Sequence, residues 1–563
     1  MVFINRQGSR QCAEPSPFVQ LHRRIKETVY PWLGRHKKGE AEYLSLAART
    51  PAFLKNFIGS SKPDKIFLFA SQGYLMELEC LYAKALEEMG YRPLALIQYK
   101  PHIAKSLRLF GVTPVCYEDF SSFSTPCVKK KFTAEATALL ESEPPRSVLS
   151  LTRHGIQVGQ AAAASHLRKT RGNRCNLSDA DERLAFADSL AHSLWAADVS
   201  ANILESLRPD LLLFNDRVYT PSAHLFELGV LRGTPVVTRN AAHVSGSEIV
   251  KRFTTQKSLS THPHSLSKKS WEWALGEMPW TPDKWESVRS ELEAAYVSGD
   301  WFSEVGTQFN KRIYNRADLG EKLQIPTGKK VAVLFAHMFW DGTFCYGKDI
   351  FQDYCDWFTE VLKVAAKNDR VHWLIKIHPA NAVKASRDGF KGEFSEWAAI
   401  RETLGSLPAH IQVIPTESDI CTYSLLNTID YCLTVRGTIG IECAAFGITT
   451  LTAGTGRYDR LGFTHDFASP PEYLAALAKL ETIPPMAAQQ VELARRFAYA
   501  LFCLRPLPMD CMEWTVAHDE KATQSLHWKT QTREQFEASD SVRKIRSFIA
   551  SGYEDWLDKG RSL

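Results

Sequence analysis

Several features that define large classes of protein are missing from this sequence. Its 12 cysteines include no Cys-x-x-Cys pair, so no zinc or redox motif is visible. No apolar run reaches about 18 residues, the length that a transmembrane helix needs. The first residues also lack the long apolar stretch of a signal peptide. These absences favour a cytoplasmic protein with reduced thiols.

A strong excess of one charge is missing as well. The net charge is +5 over 563 residues, which gives no reason to expect a nucleic-acid partner. Two basic clusters, 129–131 and 168–171, are typical of a solvated surface, with peripheral contact at the inner membrane face as the alternative. An Asp-x-Asp pattern occurs at Asp179 and Asp181, but acidic residues are expected where a long helix begins. We therefore predict no metal site and no cofactor.

What the sequence does contain is a repeated alternation of apolar strands and helices. Its length exceeds that of one ordinary core, and 44% hydrophobic with 23% charged residues is a globular composition. A strand at 65–70, a helix at 75–89 and a strand at 93–97 form a βαβ unit. Residues 181–207 are predicted to form a long helix capped by Ser178.

The pattern predicts an α/β fold class with two Rossmann-like domains that face each other across a cleft. This architecture, called GT-B, is by pattern alone one candidate among several two-domain α/β enzymes. Sugar-nucleotide epimerases share this architecture, so the fold does not fix the function. Helical N- and C-terminal extensions complete the prediction. The predicted parts are an N-terminal helical extension, a first Rossmann-like domain, a helical connection, a second Rossmann-like domain and a helical tail that packs back on the body. They span residues 1–62, 63–265, 266–328, 329–483 and 484–563.

Two strands of the second predicted domain lead into turns that suit an anionic ligand. Residues 371–379 form an apolar strand that stops at His378 and Pro379, and residues 433–442 form a strand, a polar turn and the start of a helix. A helix N-terminus offers free N–H groups and the positive end of the helix dipole to an anion. We therefore predict a phosphate site, of a nucleotide-bearing ligand, at the carboxyl ends of parallel strands.

The order and spacing of several segments resemble the bacterial capsule polysaccharide biosynthesis family. The resemblance covers residues 330–475 and lies in the segments 334–341, 350–358, 375–379, 437–442 and 458–464. The family contains GT-B glycosyltransferases, some of which use CMP-activated Kdo. This chain departs from it at Arg436-Gly437, where small hydroxyl residues are usual, and at Asp459 and Leu461, where a basic pair usually surrounds Tyr458.

The resemblance and the chemistry of the turns together assign candidate nucleotide contacts. The resemblance implies a phosphate contact for the His378-Pro379 pair and a ribose contact for Glu442. Gly437 and Thr438 can cradle a phosphate through backbone amides and the hydroxyl, and Arg436 can add charge-assisted hydrogen bonds. The alternatives are a backbone-satisfied histidine, a helix cap, a surface salt bridge and a carboxylate that interacts with the helix dipole.

Candidate catalytic groups follow other predicted strands. Asp341 comes after the first strand of the second domain, where it can position a ligand or cap a loop. The general base should come from the first domain, where Asp216 is the first candidate, His243 the second and His154 the third. Each of these residues can equally be structural.

These observations predict a glycosyltransferase that builds a bacterial surface polysaccharide. The donor would be a nucleotide-sugar, a CMP-sugar such as CMP-Kdo by resemblance, and it would serve as a co-substrate. The acceptor would be a saccharide or a lipid-linked saccharide. The alternatives are a sugar-nucleotide epimerase or a polyol-phosphate transferase on the same fold, and a non-catalytic module of capsule assembly.

Overall fold

A computed structural model describes most of the chain. The described residues are 35–55, 57, 59, 62–71, 75–97, 101–115, 123, 125–299, 307–519 and 523–561. Most of the predicted N-terminal extension, residues 1–34, lies outside them.

The first part of the chain alternates strands and helices around one sheet. Its elements in chain order are α1 (Arg35–Arg49), α2 (Ala52–Lys55), β1 (Lys65–Ala70), α3 (Met76–Glu87), β2 (Tyr91–Leu96), α4 (Pro101–Leu109), β3 (Thr113–Val115), α5 (Pro126–Ser142), α6 (Pro145–Val148), β4 (Thr152–Arg153), β5 (Ile156–Gln157), α7 (Val158–Thr170), α8 (Ala180–Leu207), β6 (Leu211–Phe214), α9 (Ser222–Leu231), β7 (Val236–Ala241) and β8 (Ser247–Phe253). The cap of α8 is Asp179 rather than the predicted Ser178, because the Asp179 carboxylate accepts from the Glu182 amide at 2.9 Å.

The second part begins with a helical connection and continues into a second sheet. Its elements are α10 (Lys268–Gly276), α11 (Pro282–Ser298), α12 (Arg316–Lys322), β9 (Lys330–Phe335), α13 (Tyr354–Ala365), β10 (Val371–Lys376), α14 (Ala380–Asp388), α15 (Ser395–Leu404), β11 (Ile411–Ile414), β12 (Tyr431–Thr434), α16 (Thr438–Ala445), β13 (Thr449–Thr452), β14 (His465–Asp466) and α17 (Pro470–Leu477). Short 3-10 helices cover Gln256–Ser260, Thr422–Asn427 and Leu480–Thr482.

The last part of the chain returns to the first sheet. It contains α18 (Ala488–Tyr499), a π-helical turn at Ala500–Leu504, β15 (Leu507–Pro508), β16 (Met512–Val516), β17 (Gln524–Trp528), α19 (Arg533–Ala538) and α20 (Asp540–Ser551). Strand β15 pairs with β8, and α18 packs beside the second sheet against α16. The tail therefore contacts both halves of the molecule.

Among the described residues, the two large sheets have the strand orders of nucleotide-binding α/β domains. The first runs β15-β8-β7-β6-β1-β2-β3, and its strands from β7 to β3 are parallel. The second runs β11-β10-β9-β12-β13-β14 and is parallel throughout. The predicted α/β fold class with two Rossmann-like domains is confirmed. In such sheets the carboxyl ends of the strands form the ligand-binding edge.

The described part of the chain contains no helix with both the length and the apolar character needed to cross a bilayer.

Candidate nucleotide site and catalytic cleft

The turn before α16 is held tightly by its own side chains. Thr434, the last residue of β12, accepts from the Gly437 amide at 3.1 Å, and the Tyr458 hydroxyl donates to the Gly437 carbonyl at 2.7 Å. A side chain at Gly440 would lie 2.1 Å from the Tyr458 hydroxyl oxygen, so only glycine fits there. Thr438 begins the helix and is half-buried. The first amides of α16 are thus fixed in place for an anion.

His337 lies beside this turn as a neutral imidazole. Its Nε2 atom accepts from the Val435 amide at 3.2 Å and lies 3.1 Å from the Thr434 hydroxyl oxygen. Burial and the nearby charges of His378 and Arg436 hold the pKa of His337 well below its usual value. The ring stacks on Tyr354, with centroids 4.7 Å apart. His337 therefore supports the turn and adds no positive charge.

Two buried arginines supply the positive charge at this edge. Arg436 donates to Asp349, and Arg457 donates to the Arg436 carbonyl at 3.3 Å and to His264 Nδ1 at 3.2 Å. Arg457 forms no ion pair with any described carboxylate. Burial lowers the pKa of Arg457 to about 10, so it stays protonated at pH 7. The Nε atoms of both arginines are buried without a partner in the described residues. Asp349 balances the charge of Arg436, so the two arginines leave one net positive charge, on Arg457, to attract an anion.

His378 and Pro379 occupy the loop between β10 and α14, at the same edge of the sheet. The His378 Nδ1 atom accepts from the Ala380 amide at 3.2 Å, and the side chain is half-buried. His378 acts on the pKa of His337, so the two imidazoles are neighbours. Pro379 stands at the N-cap position of α14. The phosphate contact of His378 stays a prediction.

Glu442 points away from the open part of the cleft. Its carboxylate accepts from the Tyr296 hydroxyl at 2.6 Å, and the residue is 1% exposed. Burial raises the pKa of Glu442 to about 7, against the lowering effect of Tyr296. A ribose contact through Glu442 therefore requires Tyr296, on α11, to yield its hydrogen bond.

Asp216 faces the cleft from the first domain. Asp216 follows β6 and is exposed to solvent, and its carboxylate accepts from the Val218 amide at 2.8 Å. Desolvation by the surrounding protein atoms raises the pKa of Asp216, and the negative charge of Asp341 in the second domain raises this pKa further. An accessible carboxylate with a raised pKa suits a general base.

Asp341 joins the two domains rather than facing a substrate alone. Its carboxylate accepts from Arg168 at 3.1 Å and Tyr219 at 2.5 Å, both in the first domain, and from Lys384 at 2.5 Å. Burial acts to raise its pKa, but the charges of Lys384 and Arg168 hold the pKa of Asp341 well below its ordinary value. A carboxylate neutralised by two cations is a poor base, and the positioning role of Asp341 stays a prediction.

The structure does not bring the two histidine candidates to the cleft, and both predictions are corrected. His243 is fully buried, with its ring 5.2 Å from Phe502 and its Nε2 atom 3.6 Å from Glu291. An acceptor hydroxyl cannot reach it. His154 lies in the turn of the β4–β5 hairpin, 2.7 Å from Asp198. Asp216 remains as the candidate base.

Sequence reasoning missed a group of residues from both domains that meets in the cleft. Arg217 donates to the Thr261 carbonyl and stacks over the Tyr346 ring, with its guanidinium carbon 5.1 Å from the centroid. His262 lies 4.6 Å from the same ring, between centroids. The His262 amide donates to the Gly456 carbonyl at 2.7 Å. These residues belong to no sequence motif. The signals that could have identified them are the polar segment after β8 and the position of Arg217 next to Asp216.

Comparison with known proteins gives distant structural similarity only. No protein-family profile and no curated protein sequence matches the chain. Among solved structures, the chain is similar to a KpsC β-Kdo 2,4-transferase of Thermosulfurimonas dismutans, with 13% identity over 54% of this chain and 82% of that chain and a TM-score of 0.32. A UDP-GlcNAc 2-epimerase of Neisseria meningitidis bound to UDP-GlcNAc shows 11% identity over 77% and 95%, with a TM-score of 0.26.

A third similar structure is CalG4, the calicheamicin glycosyltransferase, with 15% identity over 77% of this chain and 93% of that chain and a TM-score of 0.25. These proteins are GT-B enzymes of different activities. Similarity at this level does not identify the donor, the acceptor or the reaction of this chain.

Proposed function

We propose that this protein is a metal-independent glycosyltransferase of bacterial surface polysaccharide synthesis. It transfers a sugar from a nucleotide donor, a CMP-sugar such as CMP-Kdo, to a saccharide or lipid-linked saccharide. The observation that carries the proposal is the pair of buried arginines, Arg436 and Arg457, beside the fixed N-terminus of α16. A helix N-terminus with buried guanidinium groups, at the carboxyl ends of parallel strands, suits the phosphate of a departing nucleotide, and this supports the proposal.

In the proposed reaction each domain supplies one half of the chemistry. The Asp216 carboxylate accepts the proton of the acceptor hydroxyl, whose oxygen forms a bond to the anomeric carbon of the donor sugar. The bond from that carbon to the phosphate oxygen breaks, and its electron pair leaves with the nucleotide. Arg436, Arg457 and the first amides of α16 then stabilise the negative charge on the phosphate. Asp341, Tyr219 and Arg168 hold the two domains together around the reacting groups.

Arg457 also supports a second candidate donor. A CMP-sugar presents one phosphate, whereas a nucleoside diphosphate-sugar presents two. Arg457 donates to the backbone carbonyl of Arg436 at 3.3 Å, and its guanidinium forms no ion pair with a described carboxylate. It can therefore serve a second phosphate. A nucleoside diphosphate-sugar is the alternative, and the nucleotide preference of the wild type decides between the two.

We expect Thr438→Val and His378→Ala to weaken nucleotide binding without unfolding the protein. Each removes one contact to phosphate, so affinity for CMP should fall about tenfold, the effect of one charge-assisted hydrogen bond. Thermal-shift and calorimetric titrations measure this. Thr449→Val is the matched control, because Thr449 is the first residue of β13 and lies at the amino-terminal ends of the strands, away from the predicted site. Normal CMP binding by both site variants would place the nucleotide elsewhere.

We also expect turnover to persist in EDTA, within about twofold of the untreated rate, because protein cations and amides neutralise the leaving phosphate. The assay follows release of the free nucleotide from the donor. Complete loss of turnover in EDTA, restored by manganese, would contradict this mechanism.

A further inference from the structure

Lys376 is a buried lysine at the ligand-binding edge of the second sheet. It is the last residue of β10 and is 5% exposed. It pairs with Phe335 on β9 and with Ile414 on β11. Paired residues of neighbouring parallel strands point to the same face. Phe335 and Ile414 pack with Cys421 and Tyr296 on the face that α11 and α16 cover, so Lys376 points there too.

Among the residues that the structure describes, no counter-charge accompanies this lysine. Its Nζ atom donates no hydrogen bond and forms no ion pair with any of the described residues, and the titratable groups that act on it are Lys311 and Cys421. Burial, together with the charge of Lys311, lowers the pKa of Lys376 to about 8. Removing most of the water around an ammonium group is costly when no acceptor in the described residues replaces it.

A second unsatisfied group lies next to it along the sheet edge. Thr416 follows β11 by two residues and is 4% exposed, and its hydroxyl has no hydrogen-bond partner in the described part of the chain. Lys311 links the two, because its Nζ atom donates to the Thr416 carbonyl at 2.7 Å and its charge acts on Lys376. Within the described part of the chain, this edge therefore holds an amine and a buried hydroxyl that have no hydrogen-bond partner.

The position of this pair relative to α16 decides which part of a nucleotide it meets. Strand β10 lies two strands from β12, the strand that leads into α16. At about 4.8 Å per strand, Lys376 stands roughly 10 Å from the phosphate cradle along the edge. A nucleotide that has its phosphate at α16 and its ribose directed along this edge would therefore turn the far side of its base toward Lys376. Glu442 and Tyr296 lie on the same face of the sheet.

We propose that Lys376, with Thr416, binds the base of a pyrimidine nucleotide through the acceptor atoms of the ring. This inference rests on the proposed function and adds the residue that selects the donor nucleotide. The lysine can only donate, so it requires a carbonyl oxygen or an unprotonated ring nitrogen. Cytosine offers both side by side, as O2 and N3, whereas the N3 atom of uracil carries a hydrogen. The hydroxyl of Thr416 can donate or accept beside it.

The test compares a complete nucleotide with its abasic part. CMP and ribose 5-phosphate are titrated calorimetrically into the wild type, Lys376→Met, Thr416→Val and Lys330→Met. Lys330 is the matched control, because it is the first residue of β9 and lies at the amino-terminal ends of the strands, away from Lys376. We expect Lys376→Met to bind CMP about 10- to 100-fold more weakly, the loss of a hydrogen bond to a charged donor, and ribose 5-phosphate about as well as the wild type. Thr416→Val should weaken CMP alone, by about fivefold.

Each other outcome overturns the inference in a recognisable way. Unchanged CMP affinity in Lys376→Met makes the lysine structural, and an equal loss for ribose 5-phosphate assigns it to the phosphate. If Lys376→Met does not fold, Thr416→Val decides, since unchanged CMP binding there also rejects the base contact. A wild type that binds no CMP refutes the proposed donor itself, and the inference falls with it.

Discussion

Asp216→Asn is expected to reduce turnover about a thousandfold, within the range that general-base catalysis contributes, and to leave nucleotide affinity within about twofold of the wild type. The amide keeps the size and the hydrogen bond from the Val218 amide, but it cannot accept the proton of the acceptor hydroxyl. The phosphate contacts belong to the second domain, so binding of the donor should not change. Steady-state rates and calorimetric titration of the nucleotide measure the two quantities separately.

The pH dependence of the wild type provides a second readout for Asp216. The carboxylate must be ionised to accept a proton, so turnover should fall as pH decreases through its pKa. Because surrounding protein and the charge of Asp341 raise that pKa, the fall should occur above the range of an ordinary aspartate, about pH 3.9. His243→Ala is the control, since His243 is buried outside the cleft. Full activity in Asp216→Asn would show that Asp216 is not the general base.

The second large effect concerns the contact between the C-terminal tail and the first domain. Asp555 accepts from Lys251 at 2.8 Å and from the Ser267 amide at 2.6 Å, and Arg505 lies 3.7 Å away. All three charged residues are buried. Asp555→Asn leaves two buried cations without a counter-charge, which should cost about 3–5 kcal/mol of unfolding free energy. For domains of about 150–250 residues, a loss of this free energy should lower the unfolding temperature by about 10 °C.

A double variant separates the loss of charge balance from the loss of packing. Lys251→Met with Asp555→Asn removes one cation together with the carboxylate, so its unfolding temperature should lie above that of Asp555→Asn alone. Differential scanning calorimetry measures both. An unfolding temperature of Asp555→Asn equal to that of the wild type would show that the tail contributes no stability through this contact.

The fold could be predicted from the sequence because the pattern of each strand and helix is local. The strand Lys65–Ala70 has its predicted bounds, and the long helix over 181–207 begins one residue earlier, at Ala180. The turn at 436–438 was identified because a strand, a glycine and a hydroxyl residue follow each other within a few positions. Such signals depend on neighbours in sequence, which a single chain displays.

The partners of the site residues could not be predicted, because they come from distant parts of the chain. Tyr296 and Glu442 are 146 positions apart, and His264 and Arg457 are 193 apart. The two cations that neutralise Asp341 lie on helices of different domains. His243 failed as a candidate for the same reason: β7 ends near it, but α11 and the π-helical turn cover its side chain.

The central claim is that the second domain holds the nucleotide with its phosphate at the start of α16. A crystal structure of the wild type with CMP tests it most directly. We expect the phosphate within hydrogen-bond distance of the Thr438 amide and the Arg436 guanidinium, with the base toward Lys376. CMP bound on the first domain, or with its phosphate away from Thr438 and Arg436, would contradict it.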